Sequence, residues 1–264
     1  MSQIVRIFSA KACAAPLQEA ADLFTERTGI AVHVGMCSRH CASTDAEEAT
    51  GSAGSHDFLD EIVEEGDYDL AVSGAEYLLD DGEVRGVIAK GCRRFIALRQ
   101  AALILPADNP KGIRRLEDLG AGGVRIAVSV LDCLKGVWED VCARAGMLEE
   151  VRRNISFYAN GCIAILEAVA QGKADAAFGW TAFAHLDPDR IRILPLPEHQ
   201  SISRATSVGL LTGAPRPEAA QRLMDFLATA EARALYFKYG WVSGGTAGKE
   251  LPARPPAAGR HPRR

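Results

Sequence analysis

The chain has 264 residues, 48% of them apolar and 24% charged, with a formal net charge of −4. That length and apolar content suit a soluble protein with a large buried core, in one large domain or two lobes. The slight acidic excess, with no basic stripe outside the extreme C-terminus, argues against nucleic-acid binding. No apolar run approaches the roughly 20 residues of a membrane span, so no membrane insertion is expected.

"MSQIVRIFSA" passes straight into a strand-like pattern without a basic n-region, an apolar h-region or an A-x-A cleavage site. A cytoplasmic protein is therefore expected, and a periplasmic one only if a signal peptide has been removed. "IVRIFSA" is a compact β-branched strand. Pro16 opens a helix in its first turn, Leu17, Ala20, Ala21 and Phe24 give it an apolar stripe, and Gly29 ends it. "IAVHV" is the second strand. From Ala42 to His56 the composition turns small and polar, reading as a loop or as the start of a helix through "DFLDEIVEEG". Asp57, Asp60, Glu61, Glu64 and Glu65 form a solvated helix face there. "YDLAVSG" is a third strand and "AEYLLDDGEV" a helix; "FIALRQAALILPA" reads as a long apolar strand pair, and "NPKGIRRLEDLG" as a turn with a short helix.

A second αβ series follows: strand "GVRIAVSV", helix "KGVWEDVCARAGM", strand "NISFYA", helix "CIAILEAVAQGKA" and strand "DAAFGW". "RIRILPLP" and "ATSVGLLTG" are late strands, and "PEAAQRLMDFLATA" and "EARALYFKYG" are closing helices. Two βαβ series joined by long apolar strands predict an α/β protein of two lobes with a ligand cleft between them. Residues 1–100 plus 206–245 would form the first lobe, residues 101–205 the second, and residues 246–264 a disordered tail rich in Gly, Pro and Arg.

Seven cysteines form an odd and enriched set. In a reducing compartment they are thiols, suited to metal or redox work unless they are simply small buried hydrophobes. In "GMCSRHC", Cys37 and Cys41 bracket Arg39 and His40, but C-x3-C is a weak motif, and His40 reads as an exposed turn residue. "GAGG" at Gly120 to Gly123 lacks dinucleotide-binding spacing and is a loop. No Ser/His/Asp order or paired carboxylates argue for hydrolysis, so no enzyme is expected.

"ILPADNPKGIRRLEDL", "GVRIAV", "LEAVAQGKADAAFGW" and "PEAAQRLMDFLATAEARALYFKYGW" resemble the molybdate-binding proteins of ABC importers and, more broadly, the type II periplasmic solute-binding fold. "IVRIFSAKACAAPLQEAADLFTERTGIAVHV" resembles the opening of that family, and the likeness runs from Ile4 to Trp241. It implies a two-lobed fold in which hydroxyls and backbone N–H groups from both lobes hold an oxyanion. Carried onto this chain, the ligand loops fall at Lys11, Ala12 and Cys13; at Cys37, Ser38 and Arg39; at Cys133; at Asn160 and Cys162; and near Trp180.

The departure from the family is the run of cysteines at those loops. Cys13, Cys37, Cys133 and Cys162 each stand where a strand gives way to a helix or turn, two in each lobe, and Cys41 is a fifth candidate. Cys142 reads as core, and Cys92 lies in a connecting segment. Thiols are poor donors to a hard oxyanion but good ligands for soft metals. Single thiolates dispersed over two lobes suit a larger object than zinc, so the expectation is an iron–sulfur cluster of the [4Fe–4S] type. Helix N-termini and Lys11, Arg39 or Lys135 would ease its charge. The alternatives are a molybdate- or tungstate-type oxyanion, or a thiolate-bound zinc, copper or other thiophilic metal. A protein partner for cluster delivery or sensing is also expected.

Overall fold

Strand β1 (Ile4–Ser9) is followed by a 3-10 turn, Lys11–Cys13, that leads into α1 (Ala14–Thr28). Ala14, Leu17, Ala20, Ala21 and Phe24 recur at helical spacing and are buried, so one face of α1 packs on the sheet. Gly29, at φ 71°, takes the left-handed conformation that closes the helix, its N–H returning to the Thr25 carbonyl. Strand β2 (Ala31–Met36) then pairs in parallel with β1. After α2 (Phe58–Glu65), strand β3 (Leu70–Ser73) pairs with the other edge of β1, and α3 (Glu76–Val84) follows.

The computed structural model describes residues 4–37, 58–130, 132–159 and 161–244, with Asp132 described by its backbone alone. The cleft-loop candidates Ser38, Arg39, His40, Cys41 and Asn160, and the expected C-terminal tail, lie outside the described residues. Within α2, Asp60 is half-buried and Glu61 is completely buried, which corrects the expectation of a uniformly solvated acidic face.

The second half repeats the plan. Strand β5 (Ile126–Ser129) is followed by a 3-10 turn, Asp132–Leu134, then α4 (Val137–Ala145) and α5 (Leu148–Arg152). Strands β6 (Ile155–Ala159) and β7 (Ala176–Trp180), separated by α6 (Gly161–Ala170), pair in parallel with the two edges of β5. Each half therefore has its first strand in the middle of a parallel triplet, β2-β1-β3 in one and β6-β5-β7 in the other. The equivalence extends to single residues. Buried Asp69, just before β3, accepts the backbone N–H of Arg6, and Asp175, just before β7, accepts that of Arg125. In both halves the first strand ends on a buried serine, Ser9 or Ser129, and a 3-10 turn carrying a cysteine comes next.

What joins the halves is β4 (Ile88–Pro106), one continuous strand where the composition suggested a pair. Its first part, to Gln100, runs antiparallel to β9 (Ser203–Leu211), with register shifts between Ile88 and Arg93 and between Phe95 and Ala97. From Ala101 onward it pairs with β7 on one side and β8 (Ile191–Pro195) on the other. The two parallel triplets thus hang from opposite ends of one strand, giving the two-lobed α/β arrangement. Helices α7 (Pro217–Leu227) and α8 (Ala230–Lys238) return to pack on α1 and the first half of the sheet.

Candidate functional site

The place where β4 passes from one half to the other is chemically unusual. Gln100 makes the last register pair with β9, opposite Ser203, and Ala101 makes the first with β7, opposite Trp180. Arg99, one residue earlier, is only 1% exposed. It is the one lysine, arginine or histidine that is buried among the described residues. Among the described residues, none of its three guanidinium nitrogens has an oxygen or nitrogen acceptor. The guanidinium carbon lies 4.6 Å from the centroid of the Trp180 indole, which contributes a cation–π attraction but satisfies no N–H. Gly74, in the loop after β3, leaves the space: a Cβ there would lie 2.5 Å from Nη1 and 2.6 Å from Cζ.

The other groups around this cation are thiols. Cys13 closes the 3-10 turn after β1 and is fully buried. Cys133 holds the equivalent place after β5, and Cys162 lies in the first turn of α6. Burial pushes the Cys13 thiol up to about 12, against the pull of the Arg99 charge and a hydrogen bond with Thr206. The hydrogen bond between Cys133 and Cys162, together with burial, holds Cys133 well above the usual thiol range, although Arg99 pulls it down. These two thiols are therefore protonated at neutral pH and leave the arginine charge uncompensated. Sulfur is at best a weak acceptor for the guanidinium N–H groups. Nearby, the Tyr236 hydroxyl is buried without a partner, its ionisation suppressed by burial and then by Cys13. The Trp180 Nε1–H is likewise unpartnered.

The expected site residues divide clearly. Cys13, Cys133 and Trp180 adjoin Arg99 from both halves, and Cys162 joins them through its hydrogen bond with Cys133. Cys37 lies beside the first loop, its sulfur receiving the Lys11 backbone N–H at 3.2 Å and its own N–H reaching the Ser9 carbonyl at 3.0 Å. Ala12 is buried in the same turn, whereas the Lys11 side chain is exposed. Cys92 is part of β4 rather than a connecting segment, and Cys142 is core, pushed by burial up to about 12. Among the described residues, no three of His, Cys, Asp or Glu are placed to hold one metal ion.

Sequence reasoning missed Arg99, although a signal was present. In "FIALRQAALILP" a lone cation interrupts a strand that is otherwise almost wholly apolar. An isolated buried charge is too costly to be kept without a partner or a role. It also missed the serines that end β1, β3 and β5, namely Ser9, Ser73 and Ser129, all of which are buried at the carboxyl ends of the strands.

Two strand triplets on a shared crossover, with a site between them, define a two-lobed binding protein. Residues 5–242 match the family model described as bacterial extracellular solute-binding protein, and the chain belongs to that family. No curated protein matches the chain by sequence. Among solved structures it is similar to PEB3 with L-phospholactate bound, at 22% identity and a TM-score of 0.74, over 91% of this chain and 100% of that one. Peb3 is a protein of Campylobacter jejuni. It is also similar to the sulfate-binding protein SubI of Mycobacterium tuberculosis, at 15% identity and a TM-score of 0.71, over 93% of this chain and 88% of that one. The periplasmic molybdate-binding protein of Azotobacter vinelandii matches at 18% identity and a TM-score of 0.69, over 91% of this chain and 100% of that one.

Proposed function

We propose that this protein captures a small anion for an ABC importer, without turnover, and that Arg99 is the residue that recognises it. The observation that carries this reading is the buried guanidinium between the two halves, with no oxygen or nitrogen acceptor for any of its nitrogens among the described residues. A buried charge of this kind is costly unless a counter-charge joins it. Cys13 and Cys133 are neutral and, among the described residues, no carboxylate reaches Arg99, which favours a ligand as the counter-charge. L-phospholactate, sulfate and molybdate, the ligands named for the three similar proteins above, are all anions, whereas the similar HitA structure of Pseudomonas aeruginosa is iron-bound. The family description also favours a location outside the cytoplasm over the cytoplasmic one that the N-terminal residues suggested.

A cluster or soft metal ion on Cys13, Cys37, Cys133 and Cys162 is the rival reading, and the Cys133–Cys162 hydrogen bond with Cys13 nearby favours it. Against it stand the Arg99 cation beside those thiols and the lack, among the described residues, of any three His, Cys, Asp or Glu placed to hold one metal ion. One set of measurements separates the two. Protein purified without oxygen is expected to be colourless and free of iron and acid-labile sulfide. A panel of sulfate, molybdate, tungstate, phosphate and small carboxylates should contain at least one anion that raises its melting temperature. At about 100 times its Kd a ligand stabilises the native state by ~2.7 kcal/mol, a shift of several degrees for a chain of this size. The Arg99→Met variant should show no such shift. A brown protein with stoichiometric iron and sulfide would overturn the anion reading.

A further inference from the structure

We infer, granting the anion reading above, that the ligand is a small monocarboxylate whose carboxylate lies against the Arg99 fork, rather than a tetrahedral dianion. Charge balance is the first argument. Arg99 is the one buried cation among the described residues. A monoanion brings the closed site to neutrality, whereas a dianion leaves one charge buried and uncompensated. Shape is the second: the paired, coplanar N–H groups of the guanidinium engage both oxygens of a carboxylate at once, whereas a tetrahedral anion gripped in the same way leaves two further oxygens outside the fork.

The third argument is the supply of other donors. Four oxygens of a tetrahedral anion need many donors, and two of the hydroxyls at the strand ends already donate elsewhere: Ser9 Oγ to the Ala10 carbonyl at 3.0 Å and Ser73 Oγ to the Ala75 carbonyl at 3.1 Å. Thr206 Oγ accepts the Trp241 indole N–H at 2.8 Å and is hydrogen-bonded with Cys13. The Cys13 and Cys133 thiols and the Trp180 ring lie around Arg99, a wall that suits a short apolar stem better than further oxygens. The unpartnered Trp180 and Tyr236 donors remain for one neutral acceptor on that stem. This makes 2-keto and 2-hydroxy acids the members of the class to try first.

The test is isothermal titration of the full chain, freed of co-purified ligand by partial unfolding and dialysis, with pyruvate, L-lactate, propionate, sulfate and molybdate. The expected result is that at least one monocarboxylate binds more than about tenfold tighter than either dianion. The neutral analogue lactamide should not bind, and Arg99→Met should abolish the signal. Should that variant not fold, Arg99→Lys keeps the charge but removes the fork, and is expected to weaken the carboxylate by at least about tenfold. Tighter binding of sulfate or molybdate, lost with Arg99, would overturn the monocarboxylate inference and leave the anion reading standing. If no anion binds, or if binding is indifferent to Arg99, both fall.

Discussion

At the scale of single residues, Arg99 sets stability against function. Without a ligand its buried guanidinium has surrendered water and gained only the Trp180 face and weak sulfur acceptors. An uncompensated buried charge of this kind is destabilising by several kcal/mol. Replacing Arg99 with Met is therefore expected to raise the melting temperature of the ligand-free protein while removing its response to anions. A calorimetric scan of both forms, with and without ligand, checks the two halves of that statement. Gly74 gives a finer test because its backbone tolerates any residue and the constraint is spatial. In Gly74→Ala the new Cβ forces the guanidinium to move off the Trp180 ring. Affinity should fall by tenfold or more, as expected when charge pairing loses its geometry, while the unliganded melting temperature changes by only a few degrees. An unchanged Kd would show that the guanidinium does not touch the ligand.

At the scale of elements, the strand ends of the two halves are tied down by the same device. Asp69 and Asp175 sit just ahead of β3 and β7 and receive N–H groups from the strand beside them. Arg216 adds a side-chain contact to the first, and Arg125 adds one to the second. For Asp175, burial pushes the carboxyl up, but the side-chain and backbone hydrogen bonds from Arg125 outweigh it and hold the group below its ordinary range. A carboxyl with a depressed folded-state pKa stabilises the protein above its unfolded value, near 4, and loses that contribution as pH falls through the folded value. Chemical denaturation between pH 7 and pH 3 should therefore show a loss of stability in the acid limb. Asp175→Asn should flatten that limb and, at pH 7, cost ~1–3 kcal/mol for the unpaired donors it leaves. Most elements were legible in the sequence because their signals are local. The α1 stripe and its Gly29 stop, the parallel strands and the Pro217 start of α7 all follow from spacing within one segment. The single long β4 was not, since a strand that changes partners midway has the same alternation as two strands in succession. Glu61 was misread for a related reason: helical spacing shows which residues share a face, and not what packs on it.

At the scale of the whole molecule, the chain crosses between the halves twice, in β4 near Gln100 and in the link from β8 to β9, and Arg204–Asp140 and Thr181–Gly240 contacts tie them, so relative movement of the two triplets needs bending at both crossings. An anion held by Arg99 would lie between Cys13 and Gly74 of one half and Cys133 and Trp180 of the other, the residues that adjoin its guanidinium. A ligand of that kind shifts the population toward the closed form in proportion to its preference for it. Small-angle scattering should accordingly give a smaller radius of gyration with a saturating anion than without, and no change for Arg99→Met. Equal radii in the wild type would mean that binding and closure are not coupled.

The order of strands and helices, the doubled αβ plan, the membership of a solute-binding scaffold and the placing of cysteines just after the strand ends were all determined by the sequence alone. Each rests on periodicity, on a turn residue or on a run of neighbours along the chain. The chemistry of the site was decided only by the tertiary structure. Cys13, Gly74, Arg99, Cys133, Cys162 and Trp180 are dispersed over most of the chain, and what matters among them is a charge left without a partner. Counting thiols suggested a soft metal centre. Burial keeps Cys13 and Cys133 protonated and strands an arginine beside them, and that arrangement asks for an anion.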